Sequence, residues 1–185
     1  MDLRFDEADL VEKLASLDER EVAAFAAVCA ERLVRSGMEF ADRSSTAGIL
    51  ANASEAIWQA IEVGDLRVVV SLEGQLLDVM PSEDDDGSFG AAVIEDACAA
   101  LIYTARSLHG QAAQNAAWSA RRAYETADRY ASQLINATEY TDAAELQILS
   151  HPVVQQELRR QARDLGATIA VMREASKDEA VLTVL

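Results

Sequence analysis

A chain of 185 residues, half of them apolar and with a formal net charge of −16, is long enough to bury a core and too acidic to favour nucleic acid. The excess is lopsided: residues 1–100 hold 22 Asp and Glu against 7 Lys and Arg, while residues 101–185 hold 10 against 9. About a fifth of the residues are alanine, aromatics make up 5% and only two prolines occur, which argues for long helices and against a β-sandwich.

The stretch Met1 to Glu7 is acidic with no apolar run behind it, so no secretory signal is expected. No segment approaches the roughly 18 apolar residues of a membrane span. The expectation is a cytoplasmic protein with no membrane attachment. A short first helix is predicted from about Glu7 to Ser16. Asp18 can cap the second, with Glu21 reaching back in a capping box. Val22, Phe25, Ala26, Cys29 and Leu33 then share one helical face up to Gly37. Leu50, Ala53, Ile57 and Ile61 give a third stripe, stopped at Gly64.

Residues 66–80 carry two signals. Val68, Val69 and Val70 favour a strand locally, but Leu66, Val69, Leu72, Leu76 and Val79 keep helical spacing, and no second strand exists to pair with. The prediction is helix. After the loop at 83–87, Ser88 caps a helix bearing Ile94, Ala97, Cys98, Leu101, Ala105 and Leu108, ended by Gly110. The longest helix is predicted from Gln111 to about Ala137. Its narrow face comprises Ala113, Ala117, Ala120, Tyr124, Ala127, Ala131 and Leu134, small enough for a close neighbour. Thr141 caps a short helix to Leu149. Ser150-His151-Pro152 leads into one last long helix with Val154, Leu158, Leu165, Ile169 and Met172 facing inward, and the tail after Lys177 is expected to fray. The sum is an all-α, single-domain antiparallel helical bundle over 1–185 with about six to eight helices, no repeat and no linker.

No motif for catalysis, metal or cofactor emerges. The acids Glu83, Asp84, Asp85 and Asp86 fail as a calcium loop, since the register ending at Gly87 starts at Ser82 and closes on Val93. They read as a solvated loop or as part of a basic partner's docking surface. His109 and His151 have no ligand-spaced neighbour and read as helix-end residues. Cys29 and Cys98 read as buried, reduced thiols. Arg121, Arg122 and Arg129, with Arg159, Arg160 and Arg163, could face phosphate. Pairing with the acidic first half is the simpler account. Trp58 and Trp118 read as core fillers. Glu157 and Gln161 lie one turn apart, with Gln161 inside an apolar stripe, so a buried hydrogen-bond network is expected there, with a pocket as the alternative.

Four segments together carry a family likeness: Phe25-Ala26-Ala27-Val28-Cys29-Ala30-Glu31-Arg32-Leu33, Ile57-Trp58, Ile94 to Ala100, and His151-Pro152-Val153-Val154 followed by Glu157 and Gln161. They resemble the YjaG-like family, a bacterial all-helical domain of unknown function, from about residue 3 to residue 172. Where that family has a proline and an aromatic after its Arg-Leu pair, this chain has Val34-Arg35-Ser36-Gly37, and Gln59 stands where an acid follows the tryptophan. The resemblance implies the helical fold and leaves the activity open.

Three functions are compatible with these features. The first is a non-enzymatic acidic binding protein, specifically an immunity or antitoxin-like protein neutralising a basic toxin, because concentrated acid speeds encounter with a basic partner. The second is a housekeeping or regulatory protein of the YjaG-like type, as a possible homodimer. The third is a small-molecule binder or enzyme with an interhelical pocket made by Glu31, Glu95, Asp96, Glu157 and Gln161. The Glu-x-x-His pairs of di-iron bundles are missing, and no cofactor is expected.

Overall fold

The run from Glu19 to Gly37 organises the molecule, because it is apolar or small on every side from Val22 to Ala30 and all nine of those residues are buried. The structure is a computed structural model that describes residues 2–41, 46–64, 69, 71–81, 87–136 and 141–182. Among these residues lie α1 (Glu7–Leu14), α2 (Glu19–Gly37), α3 (Thr46–Val63), α4 (Leu72–Val79), α5 (Phe89–Ser107), α6 (Ala112–Leu134), α7 (Asp142–Ser150), α8 (Pro152–Asp164) and α9 (Ile169–Ser176). Helix α2 is the hub and packs against α3, α5, α6, α8 and α9. A helix that is apolar all round needs such complete cover.

Alanine sets the spacing. Ala23, Ala26 and Ala30 on α2, Ala97 and Ala100 on α5, and Ala116, Ala120, Ala123 and Ala127 on α6 are all buried, so the three backbones approach closely. Gly37, at the end of α2, faces Ile94 and Ala97 near the start of α5, so these two helices are antiparallel. Asp96 early in α5 meets Arg129 late in α6, and Thr104 late in α5 lies 3.3 Å from Ser119 early in α6, so this pair is antiparallel too. The Ser119 hydroxyl donates to the Ala26 carbonyl at 3.0 Å, joining α6 to α2 through a buried polar rung.

The predicted caps are present. The Asp18 carboxylate accepts from the amides of Arg20 and Glu21, both at 2.9 Å, while the Asp18 amide donates to Glu21 at 3.2 Å. Ser88 caps Ala91, Thr141 caps Ala144, and the His151 Nδ1 accepts from the Val153 amide at 3.4 Å with Pro152 at the first helical position.

Four features differ from expectation. The last long helix is two: α8 ends at Asp164, whose carboxylate is tied down, and Thr168 caps a new helix by accepting from the Val171 amide. That break takes the count to nine among the described residues. Of the 66–80 prediction, α4 is helical from Leu72 to Val79, while Leu66, Arg67, Val68 and Val70 lie outside the described residues. Leu134, placed on the inner face of α6, is half exposed because the helix ends there. Residues 178–182 do not fray but are pinned to α2, as described below.

Candidate functional site

An arginine on the buried face of α2, toward its C-terminal end, forces the rest of the site. Arg32 is 0% exposed. A buried guanidinium has five donors and a charge to satisfy, which only carboxylates at close range can do. Helix α8 supplies them, because residues 157, 161 and 164 are spaced four and three apart and so share one face. Arg32 Nε and Nη2 donate to the two oxygens of Glu157 at 3.0 and 2.9 Å, a bidentate fork. Its Nη1 donates to Asp164 at 2.7 Å. Gln161 Nε2 donates both to Glu157 at 2.9 Å and to the Ala120 carbonyl at 3.0 Å, so the glutamine ties the pair to α6.

The C-terminal segment closes the network. Arg163 holds Asp164 through Nε and Nη2 at 2.9 and 2.6 Å and holds Glu179 bidentately at 2.6 and 2.9 Å. Arg160 donates to the Ala180 carbonyl at 2.7 Å, and the Val181 amide donates to the Arg32 carbonyl at 3.3 Å. Three arginines and three carboxylates thus sum to zero. Burial works against the charge on Arg32, but the Glu157 and Asp164 carboxylates outweigh it and hold the proton more firmly than usual. The Cys29 thiol lies 3.4 Å from Arg32 Nη2. Burial pushes this thiol well above its ordinary value, and Arg32 only partly opposes the push. Burial likewise takes Cys98 up to about 12. Both cysteines are free and buried.

A second network joins α5 to α6. Asp96 is buried and accepts from Arg122 at 3.2 Å, Thr126 at 2.7 Å and Arg129 at 2.8 Å, residues that share a face of α6. Arg121 pairs with Glu7 and Glu125. The arginines of α6 therefore do meet acids of the first half, whereas Arg160 and Arg163 meet acids of the C-terminal segment.

The five residues expected around one pocket occupy four places. Glu157 and Gln161 meet at Arg32, and Asp96 sits in the α5–α6 network. Glu31 accepts from the Ser54 hydroxyl and pairs with Arg35 at 3.4 Å. Glu95 is exposed on α5 with no ion pair among the described residues. Glu83, Asp84, Asp85 and Asp86 lie outside the described residues. Among the described residues no group of three or more His, Cys, Asp or Glu side chains could hold a metal ion. His109 is exposed just beyond α5.

Trp58 is fully buried under the Arg173 guanidinium, 5.0 Å from its ring centroid, and its Nε1 has no hydrogen-bond partner among the described residues. Trp118 is half-buried against Tyr103. Arg32, Gln155, Asp164 and Glu179 are the residues whose part was not anticipated. The signal for Arg32 was its spacing of seven and three residues from Phe25 and Cys29, which puts a cation on the apolar face of α2, and for Asp164 its seven-residue spacing from Glu157. Glu179, beyond the last helix, carried none.

Comparison with known proteins adds the following. A family model described as a protein of unknown function (DUF416) matches residues 9–182. Among curated proteins none matches the chain. A crystal structure of a DUF416 family protein from Shewanella baltica OS155, at 1.91 Å resolution, superposes with a TM-score of 0.73 at 18% identity, covering 91% of each chain. At that identity the likeness concerns the fold. Among the described residues no helix is long and apolar enough to cross a membrane.

Proposed function

The chain belongs to the DUF416 family, a helical family of unknown function, and we propose that it is a housekeeping or regulatory protein that acts by binding a basic protein partner rather than by catalysis. One observation carries this reading: among the described residues the buried arginines and carboxylates are all ion-paired. Arg32, Arg160 and Arg163 are matched by Glu157, Asp164 and Glu179, and Asp96 is matched by Arg122 and Arg129. A general acid, base or nucleophile needs a group left poised in a cleft; the fully buried groups are all occupied, and the half-buried Asp128, left at a groove without an ion pair among the described residues, is read as a ligand-binding group. What remains is the overall charge balance: the first hundred residues hold 22 acids against 7 bases in all, and of these Asp96 and Arg32 are buried in the networks. Such a field raises the rate of encounter with a positive surface and selects against negative ones.

The YjaG-like affinity and a homodimeric state belong to the same proposal. A toxin as the basic partner is a narrower version of it, supported by the charge asymmetry alone. The test is co-purification from the source cells at low and high salt, followed by association kinetics with the captured protein. A basic partner whose association slows about tenfold or more between low and high salt supports the reading. An acidic partner, or one whose association ignores salt, refutes it.

A further inference from the structure

The segment before α1 lies across the bundle as a strap. Leu3 exchanges two hydrogen bonds with the buried Gln155 side chain, its amide donating to Oε1 and its carbonyl accepting from Nε2, both at 2.9 Å. Phe5 stacks on Tyr124 of α6, ring centroids 5.1 Å apart and planes within 9°. Between the strap, α6 and α7 runs a groove of about 350 Å³ lined by Arg4, Phe5, Tyr124, Asp128, Glu145 and Ile148. That is the size of a site for one small molecule.

The lining is unlike the closed networks elsewhere. Asp96, Glu157, Asp164 and Glu179 each have at least one arginine. Asp128 and Glu145 have no ion pair among the described residues, and Asp128 has only the Tyr124 hydroxyl, 3.5 Å away. Burial, followed by the negative charges of Glu125 and Glu145, holds the Asp128 carboxyl above its ordinary value despite that hydroxyl and Arg129. Half-buried and beside a second acid, Asp128 has no ion pair among the described residues, unlike the buried carboxylates Asp96, Glu157 and Asp164.

We propose that the groove binds a small organic amine with an aromatic or branched apolar body. The ammonium would lie between Asp128 and Glu145, and the body would run along the Phe5–Tyr124 stack and Ile148. Rings of this kind attract cations as well as apolar surface, so wall and carboxylates select the same ligand. Arg4, exposed and without an ion pair among the described residues, is placed to take a carboxylate where the amine carries one. This site is separate from the acidic surface of the partner-binding reading and does not rest on it.

Calorimetric titration of the full chain with phenethylamine, phenylacetate and 2-phenylethanol tests the proposal. Phenethylamine should bind at least about tenfold more tightly than the other two, and Asp128→Asn should lower its affinity by about tenfold or more. Glu145→Gln, at an exposed position, should weaken it in the same direction without touching the fold. Glu12→Gln, an exposed acid on α1 away from the groove, should leave it unchanged. Equal affinity for the three compounds, absence of amine binding at millimolar concentration, or unchanged affinity in both groove variants would overturn the proposal. So would an equal loss in Glu12→Gln, since that would reduce the effect to net charge.

Discussion

Replacing Arg32 by methionine isolates what the buried network contributes, because methionine keeps much of the volume and removes all donors. Glu157 would lose both bonds of the fork and keep only Gln161, leaving a carboxylate with 0% exposure and one neutral donor. Asp164 would lose one bond and keep two from Arg163, so it stays compensated. The uncompensated charge is thus essentially that of Glu157, and breaking a buried pair in this way costs about 3–5 kcal/mol. For a chain of this length that corresponds to a fall in melting temperature of roughly 6–20 °C. Thermal and urea unfolding followed by circular dichroism would measure it. The double variant Arg32→Met, Glu157→Met removes the stranded charge as well and should recover most of the loss, since an apolar pair of similar size can match a buried ion pair. A loss below about 1 kcal/mol for the single variant, or a double variant no better than the single, would refute the idea that Glu157 needs Arg32.

Other outcomes follow from the same geometry. Asp96→Ala should destabilise by about 2–3 kcal/mol, measured by urea midpoint, because it strands Thr126 and two arginines at the α5–α6 seam. Glu179 is held below the ordinary carboxylate value: burial raises it, and its bonds to Arg163 with the charges of Arg32 and Arg160 more than reverse that. Its stabilisation is therefore complete above about pH 5 and fades as pH falls through the ordinary range toward its lowered value, so Glu179→Gln should differ from the parent at pH 7 and converge with it in acid. Gly90→Ala should destabilise by about 1–3 kcal/mol in a thermal melt, since a Cβ there would stand 3.0 Å from the Cβ and ring of Phe40. Native Cys29 and Cys98 should label slowly with a thiol reagent, with rates that rise only on adding denaturant; fast labelling would contradict their burial.

Most of the architecture was readable because apolar spacing and caps are local. Asp18 with Glu21, Ser88 and Thr141 each start a helix where their side chains can reach the next amides. The break between α8 and α9 was masked, because the apolar stripe from Val154 to Met172 continues in phase across Gly166. What ends α8 is a local turn, the Gly166 and Ala167 amides bonding back to Arg163 and Asp164 before Thr168 caps α9, so Gly166 and Thr168 were local signals that the unbroken stripe outweighed. The candidate site divides in the same way. Gln161 in an apolar stripe signalled a buried network, but the groups that complete it are remote in sequence: the Ala120 carbonyl lies 41 residues from Gln161, and Arg32 lies 125 residues from Glu157. The tail was expected to fray as chain ends commonly do, whereas Glu179, Ala180, Val181 and Leu182 are held by polar contacts that leave no pattern in the sequence.

The distribution of charge links these observations. The Arg32 network is neutral, and the Asp96 cluster has one acid for two arginines, so the buried systems contain none of the net −16. Among the described residues the excess of acid therefore lies outside these buried systems. An alanine-rich hub such as α2 leaves little large apolar side chain to fix helix α8 in register, and sliding α8 by one turn would move Glu157 and Asp164 off Arg32 together. A one-turn slip would strand the Arg32 guanidinium and the Glu157 carboxylate at once, a penalty no apolar stripe imposes, and so the network can specify the register even where an apolar replacement would equal its stability. Against that background an unpaired, half-buried carboxylate is an exception, and Asp128 is the one that faces a groove. Relieving it should not harm the fold: Asp128→Asn is expected to melt at or above the parent's temperature while losing affinity for amine, and a fall in melting temperature would show that the carboxylate is structural.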